Sequence, residues 1–239
     1  MAAPAPRAPG ATPWQMARVL SITPETARAK TYRLALPEPA PHRAGQHCVV
    51  RLTAPDGYRA QRSYSIASAP DDTPEFEITV ERLEGGEVSS FLHDEVAVGE
   101  ELEVRSPIGG WFVWDGVSPA LAVGGGSGIV PLVSMLRHAR VLGRPDLLCL
   151  AAAARTQHDL PYAEEILEGC HVVALSQEAS PTGRPSGRLT GADLVPFVLD
   201  GQVVYVCGSA RFAAAASTLL VDVGVSPSVV RVERFGPSG

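Results

Sequence analysis

Residues 120–132 read Ala120-Leu121-Ala122-Val123-Gly124-Gly125-Gly126-Ser127-Gly128-Ile129-Val130-Pro131-Leu132, an apolar run that enters four glycines in five residues. The run 120–123 has no wet face, so it predicts a strand covered on both sides, as in a parallel sheet. Apolar runs at 147–152, 172–175 and 203–206 repeat the pattern. Helical segments near 129–141, 160–167, 191–199 and 212–223 alternate with them, and 229–234 supplies a last strand. Strand–helix alternation with buried strands predicts a five-stranded parallel α/β domain. Open sheets of this kind take ligands at the carboxyl ends of their strands, where the glycine turn falls. Pro131 rules out the GxGxxG form of such a turn.

Upstream the pattern changes. Short β-type runs at 14–22, 30–36, 46–53, 63–67, 75–83 and 101–105 are separated by Pro, Gly and Asp. Phe76, Ile78 and Val80 alternate with Glu77, Thr79 and Glu81, the period of a half-buried strand. Six such strands predict an antiparallel barrel. The expected organisation is therefore a disordered Ala/Pro-rich leader at 1–13, a β-barrel domain at 14–115 and an α/β domain at 116–239. The leader carries Arg7 but no apolar h-region, so it does not read as a signal peptide.

Composition excludes several functions. Among 239 residues the net charge is −6 with no basic run, which argues against a nucleic-acid groove. No stretch approaches the ~20 apolar residues needed to span a bilayer. Cys48, Cys149, Cys170 and Cys207 show no clustered spacing, so neither a zinc site nor a plant-type iron–sulfur cluster is expected, nor any other metal. Reduced thiols in a cytoplasm are the expected state.

Four further runs carry chemistry. Arg62-Ser63-Tyr64-Ser65-Ile66-Ala67-Ser68 sets a cation, an aromatic hydroxyl and more hydroxyls along an extended segment. Gly85-Gly86-Glu87-Val88-Ser89-Ser90-Phe91-Leu92 opens a helix with free N–H groups and hydroxyls in its first turn, which suits a phosphate. Val203-Val204-Tyr205-Val206-Cys207-Gly208-Ser209 ends a buried strand, and Val230-Arg231-Val232-Glu233-Arg234-Phe235 lies near the end of the chain. Each also has a plain structural reading: a surface strand, a capped helix, a small buried cysteine, an exposed terminal Phe.

Taken in order, the runs resemble the ferredoxin–NADP reductase superfamily over roughly residues 43–235. The first is similar to its RxYSxxS flavin motif, with Gly45-Gln46 resembling the PGQ turn and Ala44 in place of proline. The helix opening resembles its GxxS pyrophosphate loop, and 124–131 its GGxGxxP nicotinamide-nucleotide loop. Cys207-Gly208 resembles xCGP with Ser209 departing, and Glu233-x-Phe235 the closing Glu-x-aromatic, here with Phe for Tyr. The resemblance implies FAD held by Arg62, Tyr64, Ser65, Ser68, Gly86, Val88 and Ser89 and covered by Phe235. It implies a nicotinamide nucleotide held by Gly125, Gly126, Ser127, Gly128, Pro131, Cys207 and Gly208, with Ser65, Cys207 and Glu233 beside the reacting atoms.

At the adenosine end, Arg155-Thr156 and Ser176-Gln177-Glu178 stand where relatives contact a 2′-phosphate. Gln177 replaces an arginine, which Arg184 and Arg188 would offset, so the expectation is NADPH rather than NADH. The implied activity is transfer of hydride from the nucleotide to flavin, then of electrons to a separate ferredoxin or oxygenase component. Two alternatives stay open: a non-catalytic flavin- and nucleotide-binding regulatory or scaffold subunit, and a reductase of free flavin or small molecules.

Overall fold

The computed structural model describes residues 13–169 and 171–235. The expectations for most of the leader, for Cys170 and for 236–239 lie outside the described residues.

Six antiparallel strands form the first sheet: β1 (Trp14–Pro24), β2 (Ala29–Ala35), β3 (His47–Thr53), β4 (Arg59–Ser65), β5 (Glu75–Glu81) and β6 (Glu101–Ile108). Their order is β4-β3-β6-β1-β2-β5. A single bridge between Ile66 and Ile78 joins the two ends of that order and closes the barrel. β4 begins earlier than its apolar pattern suggests, because Arg59, Ala60 and Gln61 pair with Thr53, Leu52 and Arg51 across a hairpin. It ends earlier too, since pairing with β3 stops at Ser65 and Ile66 bridges instead to Ile78 of β5. Tyr32, Leu34, Val50, Ile66, Ile78 and Val104 fill the interior. A fully buried side chain of this size contributes about 1.5–3 kcal/mol. Helix α1 (Glu87–Asp94) follows β5 and closes one barrel end with Val88 and Leu92.

The second sheet is parallel: β7 (Ala120–Gly125), β8 (Leu148–Ala154), β9 (Val172–Leu175), β10 (Val203–Ser209) and β11 (Val230–Phe235), ordered β11-β10-β7-β8-β9. Alternate residues of β7 serve opposite faces. Ala120 and Ala122 join the core under α2 (Val130–Val141) and α3 (Ala163–Gly169). Leu121 and Val123 join the core under α4 (Gly191–Leu194) and α5 (Ala210–Asp222). The chain builds outward from β7 on one side and then crosses to β10 on the other. This opens a crevice at the carboxyl ends of β7 and β10.

Two predicted helices are shorter than expected. The segment 160–167 becomes helical only at Ala163, because Pro161 and Tyr162 precede it and Tyr162 has φ +58°. The segment 191–199 is α-helical only through Leu194 and tightens to a 3-10 turn at Val195–Phe197, around Pro196.

Tyr162 also holds the two sheets together. Its hydroxyl lies between Thr31, at 3.0 Å, and Thr79, both in the barrel. Its N–H donates to Glu25 at 3.0 Å. Left-handed backbone at a bulky residue costs about 1–3 kcal/mol, and these buried hydrogen bonds offset it. The Arg137 guanidinium stacks 4.9 Å from the Tyr162 ring and bridges Glu165 of α3 and Glu77 of β5, each at 2.8 Å. Ser134 donates to the Ser68 carbonyl at 2.7 Å, and Tyr205 to the Val113 carbonyl at 2.8 Å.

Candidate functional site

The end of β4 and the glycine turn after β7 both lead to the seam between the domains, where Ala67 joins the core under α2 and the Ser68 carbonyl accepts from Ser134. Ser65 is buried, and its Oγ has no hydrogen-bond partner among the described residues. An unsatisfied buried hydroxyl costs about 1–3 kcal/mol, so its persistence marks a place for a ligand. Tyr64 is half-buried beside Cys48, and burial pushes its phenol above the ordinary range. Arg62 is exposed and donates only to the neighbouring Gln61 carbonyl at 2.7 Å. Such a guanidinium retains donors for a phosphate.

Ser68 and Ser89 behave differently from expectation. The Ser68 hydroxyl accepts the Glu77 N–H at 3.1 Å, and its carbonyl accepts from Ser134. Once Ile66 has bridged to Ile78, residue 68 belongs to the seam between domains. The Ser89 hydroxyl accepts the Leu83 N–H at 3.2 Å and donates to the Gly86 carbonyl at 3.1 Å, closing its own turn. Val88 is buried in the barrel core. What this loop leaves to a ligand is therefore its backbone around Gly86.

On the α/β side, Gly126 has φ +57° with open space where a Cβ would point. Gly128 lies against β10: a Cβ there would fall 2.4 Å from the Cys207 carbonyl oxygen and 2.5 Å from Gly208 Cα. Only glycine permits that approach, which carries the turn of Gly125, Gly126 and Ser127 over the carboxyl end of the sheet and into α2 at Pro131. Cys207 pairs in register with Glu233, and Gly208 and Ser209 with Arg234 and Phe235. Burial, with the Glu233 charge adding, pushes the Cys207 thiol well above its usual value. Burial also raises the Glu233 carboxyl to about 7. Phe235 packs half-buried against the α2-side core.

The adenosine-end candidates lie past β8 and β9. Backbone bonds from Ser176 to Ala154, 3.0 Å, and from Gln177 to Arg155, 2.9 Å, zip the two loops together. Arg155 pairs with Asp159 at 2.9 Å. Burial would raise the Asp159 carboxyl, yet hydrogen bonds from Thr156 and Arg155 hold it below its ordinary value. Arg184 is not brought to this point as a free cation; it is tied to Asp193 at 2.8 Å, and that contact drives the Asp193 carboxyl down to about 2.

Sequence reasoning missed the seam residues Arg137 and Tyr162. A signal existed for the first: Arg137 falls seven residues after Val130 and three after Ser134, a cation on the buried stripe of α2. A cavity of about 480 Å³ also lies at the seam, lined by Arg43, Trp114, Asp115, His138, Tyr205 and Arg231. It opens near the amino ends of β10 and β11, away from the glycine turn. Among the described residues no cluster of His, Cys, Asp or Glu could hold a metal, and no helix is long and apolar enough to cross a membrane.

The geometry agrees with what the chain is similar to. The family described as oxidoreductase FAD-binding domain matches residues 16–113, and that described as oxidoreductase NAD-binding domain matches 122–218. The ferredoxin–NAD(P)(+) reductase component of the naphthalene 1,2-dioxygenase/salicylate 5-hydroxylase systems of Ralstonia sp. is 30% identical, over 92% of this chain and 69% of its own. The reductase component of propane 2-monooxygenase from Rhodococcus jostii is also 30% identical, over 91% of this chain, which spans 62% of that relative's length. In fold, the FAD/NAD-binding domain of the Vibrio cholerae nitric oxide dioxygenase superposes with a TM-score of 0.83 at 22% identity, covering 93% of this chain and 99% of that one. The chain belongs to the ferredoxin–NADP reductase superfamily, as an oxidoreductase that joins an FAD-binding barrel to an NAD(P)H-binding α/β domain.

Proposed function

We propose that the chain is the reductase of a multicomponent system, accepting hydride from NAD(P)H and delivering electrons to a separate ferredoxin or oxygenase component. The observation that carries this reading is the buried Ser65 Oγ at the end of β4, unpartnered among the described residues. FAD bound there supplies hydride acceptance and stepwise electron release.

The chain's residues divide the remaining work. Arg62 neutralises the pyrophosphate and Gly86 presents backbone N–H groups to it. Tyr64 would pack against the bound flavin, and Ser65 would donate its otherwise unpartnered hydroxyl to it. The turn 125–128 admits the nucleotide's phosphates, and Cys207 with Gly208 shapes the floor under the nicotinamide. Glu233, its carboxyl raised to about 7, holds a proton at Oε near neutral pH beside that floor. Phe235, half-buried against the α2-side core, would be the aromatic residue that covers bound FAD, since a stacked ring is worth only about 0.5–1.5 kcal/mol beyond its area and would yield to the nucleotide. The proposed domain boundary is near residue 116, and the free thiols of Cys48, Cys149 and Cys207 support a reducing compartment such as a cytoplasm.

Support for a reductase comes from the relatives, which are named as reductase components of dioxygenase and monooxygenase systems. The test is to purify the protein, identify the extracted flavin, assay iron and follow anaerobic bleaching by NADH and NADPH. FAD near one per chain, no iron, and steady reduction of a one-electron dye support the reading. Bound FAD with no dye turnover would favour a scaffold subunit instead.

A further inference from the structure

We infer that the adenosine end of the nucleotide site is built for a free 2′-hydroxyl, so that NADH is the preferred reductant, and that Asp159 sets the choice. The inference rests on the nucleotide lying across the carboxyl ends of β7 and β10, and adds to that reading which nucleotide it is.

A 2′-phosphate needs uncommitted cations beyond β8 and β9. Arg184 cannot supply one. Its Nε and Nη2 donate to Asp193 at 2.9 and 2.8 Å, and its Nη1 to the carbonyls of Pro185 and Gly187 at 3.1 and 3.0 Å. Nη2 also donates to the Arg188 carbonyl at 2.7 Å. All five guanidinium donors are thereby engaged. Asp193 is itself fixed, closing a capping box with Thr190 at the start of α4. Moving Arg184 to a phosphate would undo that cap.

The remaining groups favour a hydroxyl. Asp159 accepts from Arg155 and from the Thr156 hydroxyl, each at 2.9 Å, so one carboxylate holds both groups that would grip a phosphate. Glu178 brings a second carboxylate, fixed by the Gln157 N–H at 2.6 Å. Gln177 adds no charge. The Arg155–Asp159 pair is exposed and weak. A phosphate can draw Arg155 away, but only by leaving Asp159 unpaired beside a new dianion. A ribose hydroxyl donates to a carboxylate and meets no such repulsion. Arg188, which follows β9 in the chain, is the other exposed arginine of this segment, and its guanidinium has no partner among the described residues.

The experiment uses the FAD-loaded protein and two probes, 5′-AMP and 2′,5′-ADP, titrated by calorimetry, with kcat/KM for NADH and NADPH measured in parallel. In the parent, 5′-AMP binds tighter than 2′,5′-ADP and NADH is favoured by about tenfold. Asp159→Asn, which keeps an acceptor for Thr156, moves the 2′,5′-ADP to 5′-AMP affinity ratio about tenfold toward the phosphate. Glu178→Gln moves it the same way by less, and adding Arg155→Ala to Asp159→Asn cancels the gain. A parent that favours 2′,5′-ADP, or an unmoved ratio in Asp159→Asn, overturns the proposal. So does a phosphate preference that vanishes in Arg188→Ala, which would assign the phosphate to that cation. If neither probe binds, the placement of the nucleotide itself has failed.

Discussion

Among the described residues, two candidates at the end of β4 are left without a side-chain or ion-pair partner, whereas two arginines past β8 and β9 are already paired. Ser65 Oγ is buried and unsatisfied, and Arg62 leans on a neighbouring carbonyl. Arg155 and Arg184 instead hold Asp159 and Asp193. The difference fits two kinds of ligand. A resident cofactor satisfies orphaned groups for the life of the protein, so their cost is incurred only in the apoprotein. A co-substrate leaves on every turnover, and its site must be tolerable when empty, so its charges close on one another.

The comparison can be broken most severely on the α/β side at Gly128, where the glycine turn lies against β10. Gly128→Ala places a methyl 2.4 Å from the Cys207 carbonyl oxygen and 2.5 Å from Gly208 Cα, both backbone atoms that cannot swing aside. The expected loss is about 3 kcal/mol, together with the loss of reduction by either nucleotide. Calorimetric unfolding and anaerobic stopped-flow would show it, and an unchanged Tm would mean that β10 yields more easily than its register suggests.

Arg62 tests the resident side alone. Arg62→Ala should weaken FAD retention by roughly tenfold to a hundredfold, the value of ~1.5–3 kcal/mol for a charged hydrogen bond. The apoprotein's Tm should barely move, because Arg62 makes no ion pair among the described residues. Equal FAD affinity in equilibrium dialysis would reduce it to a surface cation.

Glu233 sharpens the contrast through pH. Its carboxyl titrates near 7 in the folded chain against 4.5 ordinarily, because burial disfavours the anion. The folded state therefore holds the extra proton between those values. Stability from this group is full below about 4.5 and is lost as pH rises to about 7, by about 2 kcal/mol once partial exposure is discounted. Denaturant titrations across that window should show the decline in the parent and a flatter profile in Glu233→Gln.

The smallest effect is the most diagnostic. Ser65→Ala removes a buried hydroxyl that the apoprotein cannot satisfy, so the apoprotein should gain about 1 kcal/mol while FAD binding weakens. A loss of apoprotein stability would mean that Ser65 is an ordinary core residue.

Much of this was legible along the chain. Alternation in 76–81 identified a barrel strand, and the unbroken apolar run before Gly124 identified a buried parallel one, because the side-chain period is a local property of the backbone. The glycine turn was legible for the same reason. Arg62, Tyr64 and Ser65 were named from their run, and they lie together at the end of β4 with Ser65 Oγ unpartnered among the described residues. Ser68 and Ser89, named in the same way, turned out to close a seam and a turn. A hydroxyl's partner depends on which distant N–H or carbonyl arrives beside it, and residue type does not record that.

Sequence by itself determined the two sheets, their order along the chain, the glycine turn between strand and helix, and the classes of ligand that each half accepts. Only the tertiary structure decided which charges remain available. Arg155, Arg184 and Arg188 read as cations for a phosphate, with Gln177 in place of a stronger ligand, while their partners were unknown. The fold brings Asp159 and Asp193 onto Arg155 and Arg184 and Glu178 onto the Gln157 backbone. The physical reason is that electrostatic function belongs to a group together with its neighbours within a few ångströms, and those neighbours are set by loop and capping geometry that local residue patterns do not specify.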